Sequence, residues 1–273
     1  MDDLKKIACN IRSSIIQSLS AAGSGHLGGS LGLADIFTAL YFKLLNHRPY
    51  EPKWKDRDRL ILSIGHVAPV LYASLAHAGY FDKKELLSLR KLGSRLQGHP
   101  ARELGLPGLE LSAGSLGQGL SVAVGMALAA KSDKKEHKVV CIMGDGELQE
   151  GSVWEAAMSA SNYKLHKLIG IVDRNRCQID GHTHDVMEIE PLADKWKAFG
   201  WNVLHCNGND INDFIRAYQQ AASNINSPSV IIAETLMGKG IKSIENDYRW
   251  HGKVPDKEQA EIFINEIKSQ CCN

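Results

Sequence analysis

The sequence predicts an α/β fold: a mostly parallel sheet flanked by helices. Three observations carry that expectation. In the second half of the chain, short apolar runs alternate with helical stretches. The runs at 139–143 and 168–172 are nearly continuously apolar, the pattern of strands buried on both faces. The chain has 273 residues, 44% of them hydrophobic and 23% charged, enough to build a large core.

The elements follow in order. Leu4, Ile7, Ala8, Ile11, Ile15, Leu19 and Ala22 recur in steps of three and four, which predicts an amphipathic helix over 4–22, stopped by Gly23 and Gly25. A second helix is expected over 33–45, a short strand over 59–64 and a third helix over 67–78, ended by Gly79. Gly93, Gly98, Gly105, Gly108, Gly114, Gly117 and Gly119 crowd one segment, so the backbone there turns tightly or meets something closely. Strands are expected over 138–143, 167–173, 202–206 and 229–234. Helices are expected over 152–163, 192–199 and 210–223, with a polar helical tail over 256–268. No repeat or Pro/Ser-rich linker divides the chain, so residues 1–273 read as a single domain.

Lys and Arg number 32 against 31 Asp and Glu, a net charge of +1. That balance gives no basic surface for nucleic acid. The apolar runs are far short of the roughly 20 residues that span a membrane. The N-terminus lacks a signal-peptide layout. Six cysteines without a CxxC spacing read as reduced thiols of a cytoplasmic protein, with Cys141 and Cys206 packed inside strands. The only close pair is Cys271-Cys272.

Ligands of an open parallel sheet bind beyond the carboxyl ends of its strands. One such turn reads Gly144-Asp145-Gly146-Glu147-Leu148-Gln149-Glu150-Gly151, the next Asp173-Arg174-Asn175-Arg176-Cys177-Gln178. Asp145 and Asn175 are 30 residues apart, about one strand–helix–strand unit, so neighbouring strands bring their oxygens to one point. A carboxylate, an amide oxygen and a backbone carbonyl make a weak cage, which suits Mg²⁺ when phosphate oxygens complete its octahedron. A metal with a diphosphate is therefore the expected ligand. His26, His66 and His99 each follow a glycine on a loop, where an imidazole can serve proton transfer. His47, His77, His137, His166 and His205 read as structural, and His182-x-His184 has no third ligand nearby. Gly23-Ser24-Gly25-His26-Leu27-Gly28 fits the dinucleotide fingerprint, but it follows a helix and lacks the acidic residue of a second strand, which argues against a nicotinamide enzyme. Trp196 and Trp201 read as helix packing.

Gly144-Asp145-Gly146, with Asn175 some 30 residues on, resembles the thiamine-diphosphate motif. Ser24-Gly25-His26-Leu27-Gly28, Gly65-His66, Gln97-Gly98-His99-Pro100, Gly114-Ser115-Leu116-Gly117-Gln118-Gly119 and Asp145 to Gly151 resemble, in order, the motifs of transketolases. The resemblance covers only that family's amino-terminal, pyrophosphate-binding domain. It implies that domain's fold and the N-terminal subunit of a split, two-gene transketolase. The implied activity is transfer of a two-carbon ketol unit from a ketose, phosphorylated or otherwise anionic, to an aldose phosphate. The implied partner is a C-terminal subunit supplying the pyrimidine-binding domain and the activating glutamate, in an α2β2 complex.

Carried over by motif, Asp145, Asn175 and the Cys177 carbonyl resemble ligands of Mg²⁺, or of Ca²⁺ or Mn²⁺ in its place. Gly144 and Gly146 resemble the backbone at the diphosphate, and Gly114, Ser115 and Leu116 the loop holding the rest of the cofactor. His66 and His251 resemble diphosphate-contacting histidines, and His26 and His99 histidines facing the substrate; all four count as catalytic candidates. Glu150, also a cofactor-site candidate, and Glu155 resemble acidic residues at the dimer interface. Arg176 stands where a glycine is common. Rival readings are a variant for a branched or sulfonated ketose, a 2-oxo acid dehydrogenase α-type subunit, 1-deoxyxylulose-phosphate synthase and a non-catalytic binding subunit. The histidine set speaks against the dehydrogenase, the Gln97–Pro100 element against the synthase, and the retained Asp145 and Asn175 against a merely structural chain.

Overall fold

A computed structural model describes residues 2–271. Its helices, in chain order, are α1 (Asp2–Ala22), α2 (Gly28–Gly32), α3 (Ala34–Ala39), α4 (Ala68–His77), α5 (Gly119–Ser132), α6 (Gly151–Asn162), α7 (Thr183–Val186), α8 (Leu192–Ala198), α9 (Ile211–Ser223) and α10 (Lys257–Cys271). Its strands are β1 (Arg59–Leu62), β2 (Val139–Gly144), β3 (Leu168–Arg174), β4 (Cys177–Gln178), β5 (Gly181–His182), β6 (Asn202–Asn207) and β7 (Ser229–Glu234). Five strands form one parallel sheet in the order β1-β2-β3-β7-β6, and β4 and β5 make a small antiparallel hairpin.

Alternation along the strands explains the layering. Val140, Ile142, Ile169, Ile171 and Ile231 join one buried cluster with α1, α3, α4, α9 and α10. Val139, Cys141, Met143, Leu168, Val172, Val230 and Ile232 join a second with α5, α6 and α8. A sheet covered on both sides needs apolar residues at every position, as the runs predicted. Trp196 and Trp201 are buried in the second cluster with ring centroids 4.9 Å apart, in keeping with a packing role. Cys141 and Cys206 lie buried in β2 and β6.

Three expectations need correction, and one helix was not foreseen. The helix expected over 33–45 instead begins at Gly28, breaks at Leu33 and ends in a π-helical turn, Leu40–Leu44. Glycine's poor helix propensity is overridden by close packing. A Cβ on Gly28 would come 2.5 Å from Met237, on Gly29 2.9 Å from Val67, and on Gly32 2.9 Å from the Leu236 carbonyl. Helix α5 escapes the periodicity, because LSVAVGMALAA is apolar without a clear 3.6-residue stripe. The tail is not merely polar: Ala260, Phe263 and Ile267 are buried, and Phe263 meets Trp250 edge-on at 5.6 Å. The thiols are not all reduced: Cys141, Cys177 and Cys206 are free, whereas Cys9 is disulfide-bonded. The side chains of Cys271 and Cys272 lie outside the described residues. Among those residues no helix is long and apolar enough to cross a membrane.

A buried polar knot ties the first helices to the sheet. Arg12 donates two bonds to Asp35, at 3.1 and 2.6 Å, and one to the Leu31 carbonyl at 3.2 Å. The Asn209 amide adds bonds to Asp35 at 3.0 Å and to the Gly32 carbonyl at 2.8 Å. Removing one partner of such a pair leaves a buried charge uncompensated, at a cost of about 3–5 kcal/mol. Asp35→Ala should therefore lower the urea unfolding free energy by about that amount; a change below about 1 kcal/mol would show that the pair contributes little.

Candidate active site

The site grows from the pairing of β2 and β3. Gly144 lies opposite Asp173, and the Asp145 amide donates to the Asp173 carbonyl at 3.2 Å. The two following turns therefore leave the sheet side by side. Asp145 is 1% exposed, so it is not a solvated turn residue. Its Oδ1 accepts from the Gly146 amide at 2.8 Å, and its Oδ2 accepts from the Arg176 amide at 2.6 Å and the Arg174 guanidinium at 2.9 Å. Burial pushes the Asp145 carboxyl up, and Arg174 and the two amides oppose that push.

Asn175 is held just as firmly. Its Nδ2 donates to Asp173 at 2.7 Å, and its Oδ1 accepts from the Cys177 amide at 2.9 Å. Asp173 also takes a short bond from the Thr235 hydroxyl, and burial raises its carboxyl to about 7. Arg176 has φ +61°, the left-handed conformation that explains why glycine suits this position, and it pairs with Glu234 at 3.0 Å.

One carboxylate, one amide oxygen and the Cys177 carbonyl fit a hard divalent cation that shares phosphate oxygens. Among the described residues no group of three His, Cys, Asp or Glu could hold a metal unaided. The amides of Gly144 and Gly146 are already donated to Glu147 (3.1 Å) and Asp145. What these glycines offer a diphosphate is closeness rather than free N–H groups.

The turn after β1, the strand beside β2, carries His66, which belongs to a histidine cluster. Ring centroids lie 5.1 Å apart for His26 and His66, 5.0 Å for His66 and His251, and 5.7 Å for His26 and His251. His99 lies against Gly114, where a Cβ would stand 3.8 Å from its ring. Desolvation first, then the neighbouring His251, His99 and Arg90, lowers His26 to about 4. Desolvation, then His251, His26 and His99, lowers His66 to about 3. Burial also lowers His99, with Arg90 adding to it, and lowers His251. All four imidazoles are thereby biased towards the uncharged form, which offers both a donor and an acceptor. The Nδ1 atoms of His26 and His251 are buried without a partner. Such orphaned atoms fit a ligand rich in oxygen.

Gly114 and Ser115 are exposed and Leu116 half-buried, on a loop that runs past Gly65 and His99. The loop is pinned behind them. The Gly117 amide donates to Glu147 at 2.8 Å, and the Ser152 hydroxyl donates to the Gly117 carbonyl at 3.0 Å. Glu147 also takes a short bond from the Ser63 hydroxyl, which itself accepts from the Gly119 amide at 3.0 Å. Glu150 and Glu155 are exposed at the start of α6.

Sequence reasoning missed Glu147, Asp173, Arg174 and Thr235. Their neighbours in the motifs drew the attention, and only Thr235, at the end of β7, lay beyond those turns. The structural reading of other histidines holds for His47, bonded to the Tyr41 carbonyl and Tyr80 hydroxyl, and for His77, bonded to Ser14. The fingerprint-like run from Gly23 to Gly28 follows a helix, α1, and not a strand, as expected.

With this geometry in hand, comparison with known proteins identifies the class. Residues 4–268 match the family described as transketolase, thiamine diphosphate binding domain, and the chain belongs to that family. Among its relatives is an apulose-4-phosphate transketolase subunit of Phocaeicola vulgatus, 42% identical over 259 residues, covering 95% of this chain and 92% of that protein. Another is the 6-deoxy-6-sulfo-D-fructose transketolase subunit SqwG of a Clostridium species, 40% identical, covering 98% and 97%. Human transketolase is 41% identical over 268 residues, but this chain covers only 42% of it. The crystal structure of Campylobacter jejuni transketolase superposes with a TM-score of 0.91 at 36% identity, over 100% of this chain and 43% of that one. The chain thus spans less than half of these single-chain transketolases and nearly the full length of the relatives named as transketolase subunits.

The depressed histidines set a sign for acid stability. Unfolded histidines take up protons near pH 6.5, while folded His26 and His66 resist until about 4 and about 3. Their contribution is present above pH 6.5 and is lost as pH falls towards 4. The urea midpoint should fall across that window, and His66→Asn should flatten the fall. An unchanged slope in the variant would mean that His66 titrates normally.

Proposed function

We propose that this chain is the cofactor-binding, N-terminal half of a split transketolase, moving a two-carbon ketol unit from an anionic ketose to an aldose phosphate. The observation that carries the reading is the Asp145–Asn175–Cys177 corner after β2 and β3 together with a histidine cluster that includes His66, in the turn after the adjoining β1. The relatives of matching length, each named as one subunit of a transketolase, support it. In this reading residues 1–273 act as one domain in the cytoplasm, and two copies join two copies of a C-terminal subunit.

Asp145, Asn175 and the Cys177 carbonyl would hold Mg²⁺, with Ca²⁺ or Mn²⁺ as substitutes. The Gly144–Gly146 turn would let the diphosphate lie close, and Gly114, Ser115, Leu116, Glu150, His66 and His251 would line the rest of the cofactor. Bound thiamine diphosphate supplies the electron sink for cleaving the carbon–carbon bond beside a ketose carbonyl. His26 and His99 then orient the sugar and exchange protons with its hydroxyls, which suits neutral imidazoles. The partner supplies the glutamate that activates the cofactor. The names of the relatives favour a branched or sulfonated donor over a common pentulose, and a panel of ketoses with the reconstituted pair would decide.

Three outcomes test the reading. Asp145→Ala should weaken Mg²⁺-dependent binding of thiamine diphosphate by about tenfold or more, roughly 1.4 kcal/mol per decade, with the circular dichroism spectrum unchanged. Equal calorimetric affinity would remove Asp145 from the metal site. His26→Ala and His99→Ala should cut turnover of the reconstituted pair by about 10²–10⁴-fold while cofactor affinity barely moves; full activity would make either residue structural. The purified chain alone should show no ketol transfer, and activity should arise on mixing with its C-terminal subunit. Robust transfer by the single chain would overturn the split assignment.

A further inference from the structure

Arg90 is a charged residue beside the His26 and His99 loops that no motif accounts for. Its backbone sits at φ +60°, a left-handed conformation that favours glycine and strains other residues. The turn that holds it is anchored on both sides: Leu89 and Leu96 are buried, and the Arg90 amide donates to the Leu96 carbonyl at 2.8 Å. The side chain is thereby sent towards the histidine loops.

There the guanidinium occupies space left by two glycines. A Cβ on Gly98 would stand 2.7 Å from Arg90 Cζ and 3.0 Å from its Nε and Nη2. A Cβ on Gly25 would stand 3.4 Å from Nη1. Gly25 immediately precedes His26 and Gly98 immediately precedes His99. Each of the two substrate-side histidines is therefore preceded by a glycine whose missing side chain makes room for the same cation.

The cation itself is uncommitted. Arg12, Arg57, Arg95, Arg174, Arg176 and Arg249 each pair with a carboxylate. Arg90 makes no side-chain hydrogen bond or ion pair among the described residues. A guanidinium presents five N–H donors in a fixed fork and no acceptor. Seated against the glycines that precede His26 and His99, it is a donor array waiting for oxygen.

We propose that Arg90 is a specificity-determining residue whose guanidinium, seated between Gly25 and Gly98, donates hydrogen bonds to the hydroxyl oxygens of the sugar chain beyond the reacting carbonyl. The inference rests on the ketol-transfer reading. It adds that the chain length and hydroxylation of the sugar are sensed on this subunit, and not only on its partner.

The test uses the complex of this chain with its C-terminal subunit, comparing native protein with Arg90→Ala and Arg90→Lys. Two acceptors are assayed, a two-carbon aldehyde and a five-carbon aldose phosphate. Arg90→Ala should lower kcat/KM for the aldose phosphate at least tenfold, chiefly through KM, and change the two-carbon acceptor less than threefold. Arg90→Lys, which keeps the charge but not the fork, should fall between. Calorimetric affinity for thiamine diphosphate with Mg²⁺ should match the native value in both variants, which shows that the corner is folded. Equal losses on both acceptors, or no loss on either, would overturn the assignment. If the native complex turns over no sugar, the ketol-transfer reading fails separately. Calorimetry of sugar-phosphate binding to the native and Arg90→Ala complexes still reads Arg90, and equal affinities there would reject it.

Discussion

The whole site depends on the parallel register of β2 against β3. Pairing Gly144 with Asp173 fixes where both strands stop and therefore where both turns begin. A slip of one residue would turn every side chain to the opposite face of the sheet. Register is secured by burial: both strands carry apolar residues into cores on either side, so no shifted pairing keeps both covered. The site is thus placed by a large hydrophobic constraint that has no chemistry of its own.

On that platform, charge is the second constraint. Asp145, Glu147 and Asp173 are three buried carboxyls within one corner. Each is surrounded by donors: Arg174 and two amides for Asp145, Ser63 and two amides for Glu147, Asn175 and Thr235 for Asp173. Buried carboxylates without such partners would protonate or destabilise the fold. The donors come from the end of β1, the 114–119 loop, the β3 turn and β7, so satisfying the acids also brings four distant segments together. The histidines, in contrast, are biased towards the uncharged form by burial, and His26 and His251 keep a buried Nδ1 without a partner.

Much of this was legible in the sequence. Continuous apolar runs announced a sheet covered on both sides, and glycine-flanked Asp145 with Asn175 one unit later announced two turns that leave the sheet side by side. His26, His66 and His99 stood out because each follows a glycine on a loop. The rest was hidden for definite reasons. Helix α2 is built of glycines whose packing partners, Met237 and Leu236, lie some 200 residues away. Helix α5 is too evenly apolar to show a stripe. Thr235 acts on Asp173 across neighbouring strands, a pairing that no local pattern encodes. Arg90 looks like any surface arginine until the glycines around it are placed in space.

The most direct measurement is a crystal structure of the chain with thiamine diphosphate and Mn²⁺, the metal located by its anomalous scattering. The account predicts one metal within direct coordination distance of an Asp145 carboxylate oxygen, Asn175 Oδ1 and the Cys177 carbonyl, with diphosphate oxygens completing its shell. A metal held elsewhere, or a diphosphate bound away from the β2 and β3 turns, would contradict it.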